Sequence, residues 1–171
     1  MRRIHLSRRA FVRAAAAATG GTMMMGNAHP ATAQPLTTAA IAREFFALLT
    51  AKNVDAWADL WAEDGRIIVP YPPEGFAPSI DGKAAIVAGF RDLFANFETF
   101  RTDLTGVYPA ADSDAVTVEY LVDALLRTGQ RYTNTNIAVF RFRGTKVLEY
   151  HDYFDPRRFQ VVVDALPGGD R

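Results

Sequence analysis

Two carboxylates and two carboxamides late in the chain carry most of the chemistry this sequence offers. Asp123 and Asp152, with Asn134, Asn136 and Tyr150, could move or steer a proton if they share an apolar pocket. A carboxylate removed from water titrates higher, which suits a general base or acid. Two carboxylates with amide partners could divide the acid and base roles, as in epoxide opening or a dehydration. The same groups could equally satisfy one another and nearby backbone ends inside a wet cavity.

Other chemistries lack their residues. There is no cysteine, hence no disulfide, thiolate zinc site or lipid-anchoring thiol. His151 is the one histidine well inside the chain, and scattered acids beside it do not make a metal site. It is also not a partner for Asp152 by adjacency, because neighbours on a strand point to opposite faces. No Gly-rich phosphate loop and no nucleophile elbow occur. No metal and no cofactor are expected.

The first residues read as an address. Met1 to Arg13 holds Arg2, Arg3, Arg8, Arg9 and Arg13 without an acid, and a small, apolar run from Ala14 to Met25 leads to Ala31-Thr32-Ala33. Basic head, short apolar middle and small-x-small end describe a cleaved export signal, too short to span a bilayer. Ser7-Arg8-Arg9-Ala10-Phe11-Val12-Arg13 resembles the twin-arginine signal, so the twin-arginine machinery is an expected partner. The expected division is 1–33 signal and 34–171 a single domain, periplasmic or extracellular and without a stable membrane anchor. Loss of five arginines leaves 14 bases against 19 acids. Such a mildly acidic domain is a poor candidate for nucleic acid.

The groups named above need elements to place them. Ile41, Phe45, Leu48 and Leu49 fall at helical spacing behind Thr37 or Thr38. Asn53 can cap a second helix with Trp57, Leu60 and Trp61 on one face, ending at Asp64-Gly65. Ile67-Ile68-Val69 reads as a strand, and the prolines of Pro70-Tyr71-Pro72-Pro73 exclude both helix and central strand. A third helix after Asp81-Gly82 carries Ile86, Phe90, Leu93, Phe94 and Phe97. Strand-like stretches follow at Phe100–Tyr108, Ala115–Leu126, Tyr132–Arg143 and Val147–Phe154, with turns at Thr128-Gly129-Gln130 and Gly144-Thr145. The tail from Pro156 can add a short helix around Phe159 to Val163. Helices first and hairpins after indicate α+β.

Alternation assigns faces. Tyr132, Asn134, Asn136, Ala138, Phe140 and Phe142 share one side of their strand, opposite Thr133, Thr135, Arg141 and Arg143, and are expected inward. Glu119, Leu121, Asp123 and Leu125 are expected inward on the strand before. Ile137, Val139 and Tyr153 then make an outward face apolar enough to predict a homodimer.

Asp59-Leu60-Trp61-Ala62-Glu63-Asp64, Asp81-Gly82-Lys83-Ala84-Ala85-Ile86, Val139-Phe140-Arg141-Phe142-Arg143-Gly144 and Glu149-Tyr150-His151-Asp152-Tyr153-Phe154-Asp155-Pro156 occur in that order. Together they resemble the SnoaL-like family of the nuclear-transport-factor-2-like superfamily, over about Ala39 to Phe159. The resemblance implies a cone-shaped, curved antiparallel sheet, a β-meander, packed on three N-terminal helices and enclosing a pocket. Its register puts Tyr150, Asp152 and Phe154 inward. It also implies an exclusion: where ketosteroid isomerases carry their base, phenol and protonated acid, this chain has Val69, Phe45 and Ala138. None of these takes or donates a proton, so steroid isomerisation by that arrangement is not expected.

The expected pocket has Asp152 and Asp123 as catalytic candidates, and Asn134, Asn136, Tyr150, Tyr71, Trp57, Trp61, Phe90 and Phe154 around a small apolar or aromatic ligand. Two functions fit it. One is a cofactor-free isomerase, cyclase, dehydratase or hydrolase working by carboxylate acid–base chemistry; the other is a non-catalytic binding or accessory domain. The fold alone does not choose between them.

Overall fold

A computed structural model describes residues 37–166; the expected signal, 1–33, lies outside them. Helix α1, Thr38–Thr50, starts where the Thr37 hydroxyl accepts from the Ala40 amide at 3.2 Å. It buries Ile41, Ala42, Phe45, Phe46 and Leu49; of the expected stripe, Leu48 is only half-buried, and Phe46 turns inward as well. The chain then turns through Lys52, whose φ of 51° is in the left-handed region. Lys52 holds that turn with its ammonium, which donates to the Phe97 and Glu98 carbonyls at 3.0 and 3.2 Å.

Asn53 caps α2, Val54–Ala58, accepting from the Ala56 amide at 3.2 Å. This helix is shorter than the aromatic spacing suggests. Trp61 is not its last turn but the first residue of strand β1, Trp61–Ile68. The cause is nonlocal: the Leu60 carbonyl accepts from the Val147 amide at 2.8 Å, so strand pairing captures the chain at this point. Gly65 then lets β1 pass close to Trp61, since a Cβ there would lie 2.7 Å from the indole.

A three-residue strand, β2 (Ser79–Asp81), pairs antiparallel with β1 and was not evident in the sequence. Gly82, at φ 86°, leads into α3, Lys83–Ala95, which buries Ile86 and Phe94. Strands β3 (Phe97–Pro109), β4 (Val116–Leu126), β5 (Arg131–Arg143) and β6 (Lys146–Tyr153) form the expected antiparallel meander. Phe97 thus opens β3 rather than closing α3. Helix α4, Pro156–Ala165, follows, capped by Asp155, with proline in its first turn.

The architecture is α+β, with one open, curved sheet in the order β2-β1-β6-β5-β4-β3. Only β1 and β6 run parallel within it. Register shifts at Leu104/Gly106 in β3 and Arg141/Phe142 in β5 are the irregularities that bend such sheets. The helices lie in the concavity, where Phe45 meets Phe140 and Trp57 with ring centroids 5.0 and 5.1 Å apart.

On β5 the inward set is as expected: Tyr132, Asn134, Asn136, Ala138, Phe140 and Phe142 are all buried. On β4 the parity is the reverse. Val116, Val118, Tyr120, Val122, Ala124 and Leu126 are buried, and Glu119, Leu121, Asp123 and Leu125 face out.

Candidate functional site

The register of the sheet gathers a polar cluster from three strands. Tyr120 on β4 lies opposite Asn136 on β5, and Asp152 on β6 lies opposite Ala138, two residues further along the same face. Tyr150 is two residues before Asp152 on that face. Their side chains therefore meet above β5.

The Tyr120 hydroxyl donates to Asp152 Oδ1 at 2.7 Å. The Tyr150 hydroxyl is 2.9 Å from that of Tyr120, and with the Tyr120 proton committed to the carboxylate, Tyr150 is the donor. Asn136 Nδ2 donates to the Tyr120 oxygen at 3.0 Å and reaches Asp152 Oδ1 at 3.5 Å. Aromatic packing fixes the tyrosines: the Phe46 ring is 4.4 Å from Tyr120, and Phe45 stacks on Tyr150 at 5.1 Å.

These groups form one wall of an apolar cavity of about 90 Å³. Asp152 retains some accessible surface and faces this space. Leu49, Ile67, Val69, Phe90, Phe97 and Phe100 supply much of the remaining wall. Phe76, Phe154 and Phe159 add aromatic rings, the last reaching over from α4 to within 5.5 Å of Tyr132. A space of this size holds several waters or a small organic molecule.

Burial raises the Asp152 carboxyl to about 6, and hydrogen bonds from Tyr120 and then Asn136 keep it from rising further. The two tyrosines are pushed well above their ordinary value, first by burial and then by the Asp152 charge. Tyr132 is pushed up as well, by burial. All three phenols are thus neutral hydrogen-bonding groups at physiological pH.

The expected site residues are only partly brought together. Asn136, Tyr150, Asp152, Phe90 and Phe154 line the cavity. Asp123 does not: it stands on the outer face in a bidentate pair with Arg131 at 2.6 and 2.8 Å, which lowers its pKa. The reversed parity of β4 puts it there. Asn134 is inward but ties the chain instead, donating to the Tyr132 hydroxyl and the Asp155 carbonyl and accepting from the Asp155 amide. Trp57 and Trp61 are fully buried behind the cavity wall, Trp57 backing Phe90 with ring centroids 4.5 Å apart. Tyr71 is 66 % exposed, in the proline-rich loop, and does not reach the cavity.

Tyr120 is the residue that sequence reasoning missed. The unbroken apolar series Val116, Val118, Val122, Ala124 and Leu126 on its side of β4 was the available signal. Leu121 and Leu125 on the other side obscured it. His151 lies on the outer face, 3.2 Å from Glu149. Among the described residues no three His, Cys, Asp or Glu side chains converge as a metal site would need.

The model of the SnoaL-like domain matches residues 42–150. The chain belongs to the SnoaL-like family. A Bacillus subtilis protein, YesE, is 33 % identical over 127 residues, covering 74 % of this chain and 84 % of YesE. A solved B. subtilis structure, titled as a candidate isomerase, is 33 % identical with a TM-score of 0.63, covering 76 % of this chain and 91 % of that one. An epoxide hydrolase of Mycobacterium tuberculosis shares the fold at 18 % identity and a TM-score of 0.58, over 73 % of this chain and 87 % of that one. Proteins of this fold thus include isomerases and epoxide hydrolases.

Proposed function

We propose that this SnoaL-like protein is a cofactor-independent enzyme that moves a proton on a small, largely apolar organic molecule, with Asp152 as the group that takes and returns it. The observation that carries this reading is a carboxyl group on the wall of an apolar cavity, titrating near 6 and held in place by two phenols and an amide. A base poised near neutrality is matched to proton abstraction and return. With Asp123 on the outer surface, no second carboxylate among the described residues joins Asp152 on the cavity wall. Paired-carboxylate chemistry, as for epoxide opening, loses its support, and a single base that removes and restores one proton favours isomerisation. The candidate-isomerase title of the B. subtilis structure points the same way. Val69 lines the cavity, Phe45 packs on Tyr150 and Ala138 lies opposite Asp152, so the proton would be handled from a different place than in the ketosteroid isomerases.

The protein is proposed to act in the periplasm or outside the cell, exported by its twin-arginine leader, and to pair with a second copy through the outer sheet face. A second reading, ligand binding without turnover, draws on the lack of a second carboxyl or imidazole on the cavity wall among the described residues. Deuterium incorporation from D2O into a panel of small cyclic ketones, followed by NMR, separates the two. Enzymatic exchange should rise with pH through about 6 and fall a hundredfold or more in Asp152→Asn, the scale of a lost general base. No exchange by the wild type would favour the binding reading, whereas equal exchange by the folded variant would remove Asp152 from the proton transfer.

A further inference from the structure

The two oxygens of Asp152 are in different circumstances. Oδ1 accepts from Tyr120 at 2.7 Å and lies 3.5 Å from Asn136 Nδ2. Oδ2 takes part in no hydrogen bond among the described residues. Nor is it among the side-chain atoms sealed in without a partner, which are Trp57 Nε1, Trp61 Nε1 and Asn136 Oδ1. Unpartnered and not sealed, Oδ2 keeps accessible surface. Asp152 stands on β6, inside the sheet between β1 and β5, and its side chain lines the cavity. Oδ2 is therefore the oxygen open to that space.

No cation answers this charge. Asp152 enters none of the ion pairs among the described residues, and no described Lys, Arg or His lines the cavity. Arg157 and Arg158 pair instead with Asp155 at the start of α4 and are largely exposed. The other titratable groups on the wall are the phenols of Tyr120 from β4, Tyr132 from β5 and Tyr150 from β6, all neutral. Helices α1, α3 and α4 and strands β1, β2 and β3 contribute none.

An ionised carboxyl without a counter-ion in an apolar space costs free energy, and a ligand cation removes that cost. The surroundings favour the same partner. Phe76, Phe90, Phe100, Phe154 and Phe159 line the cavity, and aromatic faces attract cations. One open oxygen matches one N–H, whereas the three of a primary ammonium would outnumber it.

We infer that the cavity binds small tertiary ammonium ions, the single N–H donating to Asp152 Oδ2 and the alkyl groups packing against the phenylalanines. This requires Asp152 to be ionised and open, not to act as a base, and so goes beyond the proposed proton transfer.

Titration calorimetry on the full chain with N-methylpyrrolidinium, N,N-dimethylpyrrolidinium and 1-methylcyclopentanol tests this. The three are close in shape; the second lacks the N–H and the third the charge. At about pH 7.5 N-methylpyrrolidinium should bind about tenfold more tightly than either, the difference made by a charge-assisted hydrogen bond. Its advantage over the alcohol should shrink as pH falls through about 6, where the carboxyl takes up a proton, and vanish in Asp152→Asn. The pH series needs only the wild type, so it decides the matter if the variant does not fold. Equal binding of the alcohol or the quaternary ion would overturn the inference. So would an advantage unchanged by pH or retained in folded Asp152→Asn, or no binding of any of the three. Ketone exchange that depends on Asp152 would in that event leave the proton-transfer reading standing. Selective ammonium binding without exchange would do the reverse.

Discussion

The hydroxyl of Tyr120 reaches across β5 to the carboxylate of Asp152, 2.7 Å away, although the two residues sit on strands that do not pair with each other. Strand β5 can be bridged in this way because Ala138, opposite Asp152, is too small to intervene. This single bond stabilises the ionised form of a buried carboxyl. Tyr120→Phe keeps the ring against Phe46 and removes only the donor. A hydrogen bond to a charged group contributes about 1.5–3 kcal/mol, so the Asp152 carboxyl should titrate about one pH unit higher or more. Carbon-detected NMR of the Asp152 carboxyl measures it; an unchanged titration would show that Tyr120 does not hold the charge.

Stability should carry the signature of Asp152. Its folded pKa, about 6, lies above the unfolded value near 3.9. Between the two the folded state binds more protons, so stability is greatest below the unfolded value and falls as pH rises towards 6. The loss is about 2–3 kcal/mol across that window. The titratable groups facing Asp152 are Tyr120 from β4, Tyr132 from β5 and Tyr150 from β6, all raised and thus silent there. Asp152→Asn should flatten this part of the profile and leave stability at pH 7 unchanged or somewhat raised, because the amide needs no charge solvation. Denaturant melts from pH 4 to 8 decide it. A variant destabilised by about 1–3 kcal/mol at pH 7 would mark Asp152 as a structural acceptor instead.

The dimer proposed for the outer sheet face can be tested at its exposed apolar residues. Leu121 and Ile137 are 42 % and 43 % exposed, and Ile137 lies opposite Tyr153 on β6. A contiguous apolar patch on a sheet marks an interaction surface, and the proposal takes these residues as part of one. Ile137→Arg should convert a dimer to a monomer in sedimentation equilibrium without lowering the melting temperature of the monomeric fold. A wild type that is monomeric at high micromolar concentration would remove the proposal.

Export should depend on an address rather than on charge. Arg8→Lys with Arg9→Lys keeps the basic head and removes the twin arginines. Retention of the double variant in the cytoplasm is the expected result of cell fractionation. Secretion at the wild-type level would mean another route.

What the sequence determined by itself was the α+β order, the meander and the inward face of β5. There the chemical contrast is local: Tyr132, Asn134, Asn136, Ala138, Phe140 and Phe142 oppose Thr133, Thr135, Arg141 and Arg143. On β4 the two faces differ less, because Leu121 and Leu125 lie on the outer one, so alternation misplaced Asp123 and hid Tyr120. Trp57 and Trp61 share a helical spacing, but the pairing of Leu60 with Val147 decides that Trp61 belongs to a strand.

Asn134 and Asn136 are indistinguishable as sequence, two amides on one face. Tertiary structure separates them: Asn134 meets both backbone groups of Asp155 and becomes a tie, while Asn136 meets Tyr120 and leaves its own oxygen buried without a partner. Face and residue type follow from local periodicity. Partner, burial and pKa depend on which distant strand arrives beside a side chain, and that is settled only when β4, β5 and β6 pair in register.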